Sequence, residues 1–335
     1  MPIEKQQRNA LALCLTLAVV WGLGYIFIPM GLAAGATPSF LVFVRFFLSA
    51  VIYGLIFIKK IRITKKDLPL GVLAGALIAI SFGLQTFGQQ YTTPSNSAFL
   101  TSMVTVFLPF LTWVFFKKKP SYMIYVSLAV YTAGLAILSF KGGELHLNTG
   151  DILTLTSAVM FAFHYIVLVY AMRRSSNETL NFLQFATAGV LLGLFHLVFE
   201  SGKQAINPID WGKFALPILC LVLFSTVYAY SVQIHAQRLL PPYQVSIVLS
   251  LENVFGAVFS LAFGFEAFSW SLVAGGLLMF AAVVLAQLTP WTKGRRTKSK
   301  VVIKTKPEDK NGSHGSSPIQ ISAGAKAPEG TRFKD

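Results

Sequence analysis

Apolar stretches of helical length recur along almost the whole of this chain, at about 11–32, 38–58, 69–90, 96–116, 121–140, 151–171, 179–199, 214–236, 243–265 and 269–289. A bilayer core roughly 30 Å thick takes about 20 residues at 1.5 Å of helical rise each. Lipid offers the backbone no hydrogen-bond partners, so such runs are stable as spanning helices. The composition agrees, with 54% hydrophobic and only 12% charged residues. The predicted fold is therefore all-α: a polytopic membrane protein with ten transmembrane helices. Lys5 and Arg8 precede a first run longer than a secretory signal core, so it is read as a retained span. Cys14 and Cys220 each lie inside an apolar run, which points to no disulfide framework and no cysteine-rich metal site.

Orientation follows from the basic residues of the connections. With residues 1–10 inside, the inner connections collect 13 Lys and Arg residues and the outer ones only Lys141, Lys203 and Lys213. Both termini are thus expected in the cytoplasm, with the protein in the cell membrane. Residues 291–335 form a basic tail rich in Gly, Ser, Pro and Lys, expected to be disordered. Its two readings are a solvated spacer and a contact with anionic membrane lipid.

Ten spans invite a search for two related halves. A shift of 148 residues lays Gln85, Gln89, Pro94 and Ser102 onto Gln233, Gln237, Pro242 and Ser250. A shift near 140 sets Trp21 and Tyr25 against Phe161 and Tyr165, and Arg45 against Gln184. The halves are expected at 11–140 and 150–290, five helices each, and an odd number per half makes them inverted repeats.

Trp21-Gly22 in the first helix, Pro38 followed by Arg45 in the second, the short Pro-bearing hairpins, and Gly150-Asp151 opening the second half are similar to the drug/metabolite transporter superfamily, in its EamA-like branch. The resemblance extends over about residues 10–290. It implies a basket of helices around a central cavity, with the fifth and tenth helices set apart as scaffold or homodimer contacts. It also implies export or exchange of small organic metabolites, amino acids among them.

The residues themselves mark candidate sites. Glu252, with Asn253 beside it, sits ten residues into a span, about 15 Å deep, where a charge costs about 3 kcal/mol and is kept for a function. Glu252, Gly256, Ser260 and Gly264 recur every four residues, so the small residues turn Glu252 toward another helix. The 148-residue shift sets Glu252 opposite Val104, so the twin helix needs no carboxylate there. Gln85 and Gln89, and Tyr230, Gln233 and Gln237, form polar stripes that face either a packed interface or a wet cavity. Trp21, Tyr25, Phe161, His164 and Tyr165 bring rings with polar tips to mid-span, suited to an amphipathic solute; His196 and His235 are read as meeting interfacial water. Arg45, about 10 Å below the outer surface, has three readings: recognition of a substrate carboxylate, pairing with Glu252, or snorkelling to headgroups.

Phosphate-loop and zinc-protease motifs do not occur, and the basic tail lacks the aromatic interleaving of a nucleic-acid binder. No enzyme, cofactor, metal or nucleic-acid partner is expected. The sequence reads as a secondary transporter of a small metabolite, of amino-acid or related amphipathic type, with Glu252 as the coupling residue. A hydrophobic drug exporter is the neighbouring reading, and a membrane scaffold or sensor the one from another class.

Overall fold

The structure, a computed structural model, describes residues 3–117, 119–139 and 148–287. The basic tail expected at 291–335 lies outside the described residues, and the described ones belong to one unit, Met1–Pro290. All regular structure among them is helical. The first half holds α1 (Ile3–Ala33), α2 (Pro38–Phe57), α3 (Leu68–Gly88), α4 (Pro94–Thr101), α5 (Val104–Phe116) and α6 (Tyr122–Ser139). The second holds α7 (Thr149–Ala171), α8 (Asn177–Phe199), the short α9 (Ser201–Ile206), α10 (Trp211–Val222), a π-helical turn (Leu223–Tyr228), α11 (Ala229–Leu239), α12 (Pro242–Leu249), α13 (Glu252–Ala262) and α14 (Trp270–Gln287).

Eight helices, some built from two of these segments, are long and apolar enough to cross a membrane. The chain is a multi-pass membrane protein. Of the ten runs expected to span, those in α6 and α14 carry shorter apolar windows, Tyr122–Gly134 and Val273–Ala282. These two helices pack chiefly against each other. Large apolar side chains such as Leu55, Val114 and Val198 point outward, where lipid rather than water receives them. The polar residues lie inside.

Two of the spans are broken at matching places. α4 gives way to α5 at Ser102 and Met103, and α12 gives way to α13 at Ser250 and Leu251. At each break the serine hydroxyl donates to the carbonyl three residues back, Ser102 Oγ to Phe99 and Ser250 Oγ to Ile247, both at 2.6 Å. The amides that follow, Met103 and Leu251, also reach three residues back at 3.2 Å. A hydroxyl that competes for a helical carbonyl favours this tightened turn. Each participant lies 148 residues from its counterpart.

α1 runs through the middle of the bundle and packs along α13 at backbone distance. A Cβ added at Gly22 would meet Phe255 Cβ at 2.7 Å, Gly256 N at 2.9 Å and Glu252 O at 3.0 Å. Two of these three contacts on α13, with Gly256 and Glu252, come from the stripe of small residues that carries Glu252. At the junction of the halves, Asn148 and Asp151 cap α7 reciprocally. Asp151 also accepts from Thr92 Oγ1 at 2.8 Å and from Asn96 Nδ2 at 2.5 Å, fastening the Pro94 hairpin to the start of α7. Gly150 abuts Gly88, where a Cβ would lie 2.5 Å from the Gly88 carbonyl.

His196 is not at a wet span end as its position suggested. It is buried, with Nδ1 2.9 Å from Ser39 Oγ, while Glu200 Oε2 accepts from Ser39 N at 2.9 Å and from Ser39 Oγ at 2.5 Å. The carboxylate sits on the exposed amides at the start of α2, which demand an acceptor. His235 is exposed.

At the other end of the bundle, Asp67 precedes α3 and accepts from Ser175 Oγ at 2.5 Å and from Thr64 N and Oγ1 at 2.7 Å. Arg238 Nη1 and Nη2 donate to the carbonyls of Met172 and Ser175 at 2.8 and 2.7 Å, so three connections meet here. The bonds from Ser175 and then Thr64 hold the Asp67 carboxyl below the usual carboxylate range. A lowered value in the folded state stabilises above the unfolded value of about 4, and the gain is lost as pH falls through the folded one. In thermal unfolding in detergent, the difference between wild type and Asp67→Asn should therefore be full at pH 6 and should shrink as pH falls below about 4. Gly22→Ala should lower stability by about 1–3 kcal/mol, because the methyl meets backbone rather than a movable side-chain end; the unfolding temperature in detergent reads this.

Candidate functional site

The centre of the bundle encloses a cavity with about 540 Å³ of atom-free space, counting the part that opens outward. Ten of the residues singled out from the sequence line it, Phe161 of α7 among them. Trp21 and Tyr25 come from α1, Arg45 from α2 and Gln85 from α3. His164 and Tyr165 come from α7, Tyr230 and Gln233 from α11, and Glu252 from the first residue of α13. Both halves of the chain thus contribute to one wall.

Gln237 of α11 lies outside the lining, and two further candidates do not reach it. Gln89 lies one turn past Gln85, just beyond the end of α3, and donates from Nε2 to Ser97 Oγ at 3.1 Å. Asn253, one residue after Glu252, is turned about 100° around the helix and donates from Nδ2 to Tyr131 Oη on α6 at 2.6 Å. Their polar groups serve packing between helices.

Arg45 is 1% exposed, in the middle of a membrane bundle. Its donors are taken up by the π-helical turn. Nε donates to Thr226 Oγ1 at 2.8 Å, and Nη2 donates to Ser225 O at 3.2 Å and Ser225 Oγ at 3.0 Å. The guanidinium also lies over the Phe82 ring, 4.3 Å from its centroid. A π turn takes carbonyls out of the regular i→i−4 ladder, which frees them for side chains. Ser225 O accepts from Trp21 Nε1 as well, at 3.0 Å, and Thr226 Oγ1 donates to the carbonyl of Leu221, five residues back, at 2.8 Å. Of the three readings of Arg45, snorkelling does not occur here, since the side chain turns inward and is enclosed.

Glu252 receives Tyr25 Oη at 3.3 Å, and Gln85 Nε2 reaches Thr101 Oγ1 at 2.9 Å and Tyr25 Oη at 3.4 Å. Arg45 and Glu252 face the same cavity but form no ion pair in this structure. Tyr230 packs edge-on to Trp21 and His164 at 5.9 and 6.1 Å between centroids, so it joins the aromatic walls of the two halves. His164 is fully enclosed, with Nε2 3.0 Å from Gln184 Oε1.

Ser225, Thr101, Asn181 and Tyr53 were not anticipated. Asn181 and Gln184 stand three apart, on one face of α8, and that spacing is a signal the sequence does carry. Ser225 had none, because no glycine or proline interrupts 223–228 to announce a π turn. Among the described residues, no cluster of His, Cys, Asp and Glu could hold a metal ion.

A membrane-embedded helical bundle with a lined central cavity defines a transporter-like protein. The chain belongs to the EamA-like transporter family, whose sequence model matches residues 8–140 and again 148–288. It is similar to an uncharacterized transporter of Archaeoglobus fulgidus, 29% identical over 279 residues, covering 81% of this chain and 83% of the relative. It is also similar to the uncharacterized transporter YvbV of Bacillus subtilis, 26% identical over 306 residues, covering 88% and 95%. A solved crystal structure superposes with a TM-score of 0.68 over 84% of this chain and 97% of its own, at 15% identity, a likeness of fold alone.

The geometry makes the π turn the seat of Arg45. Thr226→Val should remove the acceptor of Arg45 Nε and leave a buried charged donor short of a partner, at about 1–3 kcal/mol. Thermal unfolding in detergent should register the loss, whereas Thr226→Ser, which keeps the hydroxyl, should recover most of it.

Proposed function

We propose that this chain is a secondary transporter that exports or exchanges a small organic metabolite, of amino-acid or related amphipathic type, by alternating access. The observation that carries this reading is the cavity, where aromatic rings, amides, one guanidinium and one carboxyl converge at mid-span from both halves. Such a mixture suits a solute with an apolar body and a polar head. A membrane scaffold has no use for it.

The mechanism proposed needs two gates around a fixed site, and inverted repeats supply them. With α6 and α14, each 18 residues or about 27 Å long, as the fifth and tenth spans, each half has five helices and the halves insert with opposite orientation. The 148-residue offset of the two helix breaks and the twofold match to one family model support that layout. The excess of Lys and Arg in the connections supports cytoplasmic termini.

Glu252 is proposed as the coupling residue. Its carboxyl stands at the first turn of α13, faces the cavity and has no ion-pair partner among the described residues. It exchanges a proton with whichever side the cavity faces. In liposomes challenged with a mixed metabolite pool, the protein should catalyse counterflow of a small amphipathic solute, and absence of exchange across such a pool would end the transporter reading. Glu252→Gln should lower accumulation driven by a proton gradient at least tenfold and remove the pH dependence of whatever exchange remains; unchanged pH dependence in the variant removes Glu252 from coupling.

A further inference from the structure

We infer that the polar pole of the cavity is built to receive a hydrogen-bond donor, so that the head group it recognises is an amine, bound as its ammonium, and not a carboxylate. The inference rests on the transporter reading and names the solute's polar end. It follows from the donors and acceptors of the wall.

Among the described residues, three neutral donors of the wall are engaged. Trp21 Nε1 is on the Ser225 carbonyl, Gln85 Nε2 is on Thr101, and Tyr25 Oη is on Glu252. Arg45 has Nε and Nη2 on Thr226 and Ser225, which leaves Nη1 as the one guanidinium nitrogen without a hydrogen bond. The acceptors are not engaged. His164 Nδ1 and Gln233 Oε1 are enclosed without a partner, on side chains 0% and 1% exposed. Glu252 receives only the 3.3 Å bond from Tyr25 on Oε1, and nothing on Oε2. Enclosed polar atoms within a membrane are costly when unpaired, and the three acceptors here are completed by a ligand that brings protons.

The protein fixes His164 as an acceptor through a relay of side chains. Tyr53 Oη accepts from Asn181 Nδ2 at 3.2 Å. That turns Asn181 Oδ1 toward Gln184, whose Nε2 donates to it at 2.6 Å. Gln184 therefore presents Oε1 to His164, and a carbonyl oxygen only accepts, so the ring proton sits on Nε2. In the neutral ring Nδ1 is then a bare acceptor.

The charges facing the head group are Glu252 and Arg45. Glu252 attracts an ammonium, while the charge of Arg45 lies against the Phe82 ring and the oxygens of the π turn. The faces of Trp21, Phe161, Tyr165 and Tyr230 complete a lining suited to an ammonium on an aromatic or aliphatic body. Tyr53, Asn181 and Gln184 are positioning residues in this scheme.

The test uses the full chain in lipid nanodiscs with two matched probes, phenethylamine and 3-phenylpropionate, and reads equilibrium dissociation constants by calorimetry. The wild type should bind the amine at least tenfold tighter than the acid. His164→Phe and Gln233→Leu should each narrow that ratio roughly tenfold, the worth of one hydrogen bond to a charged group. Tyr53→Phe, remote from the solute, should narrow it less while leaving the affinity for the acid unchanged. Equal affinity, preference for the acid, failure of the wild type to bind either probe, or equal losses for both probes in the variants each overturn the inference. If His164→Phe does not fold, Gln233→Leu decides by the same ratio. Amine-selective binding without flux in liposomes would leave the inference standing and end the transporter reading. Flux of acid-only solutes would do the reverse.

Discussion

A guanidinium enclosed in the middle of a membrane bundle must find acceptors within the protein, and much of this structure is arranged around meeting that demand. Regular helices have no carbonyls to offer, since each is taken by the amide four residues on. The span Trp211–Leu239 supplies them by widening to a π turn at Leu223–Tyr228, where Ser225 and Thr226 take Arg45 and the Ser225 carbonyl takes Trp21 as well. One local irregularity thereby ties α1 and α2 of the first half to the second half, directly beside the cavity.

The same economy governs the rest of the polar interior. Asp151, Glu200 and Asp67 each take several donors, many of them at helix starts or hairpins, which locks connections at the membrane surfaces and leaves the centre to Arg45 and Glu252. The cavity is thus electrically simple. One guanidinium is bound to the frame, and one carboxyl is held by a single tyrosine.

Much of this was legible in the sequence because lipid imposes a length and a composition on whatever crosses it. The helices emerge from their apolar runs, and ten of thirteen mid-span candidate residues meet in one cavity, where polar side chains of such runs can be satisfied. Two of the three that do not, Gln89 and Asn253, show the limit of that logic: both are inside, but an interhelical bond to Ser97 or to Tyr131 engages an amide as a cavity does. Depth in the bilayer was readable and direction around the helix was not, since that depends on which neighbour packs where. The π turn was invisible for a further reason. The guanidinium it serves is Arg45, 180 residues away along the chain.

Gly22 has a wider meaning than a tight fit. With α1 and α13 in backbone contact there, Trp21, Tyr25 and Glu252 share one stiff frame and travel together. Arg45, Phe82 and Gln85 stand on α2 and α3, across the cavity from that frame. Along the line between the two groups, Gln85 reaches Tyr25 at 3.4 Å, and Arg45 and Trp21 meet on the Ser225 carbonyl. The boundary between the two groups runs through the cavity, so whatever fills the cavity touches both sides of it.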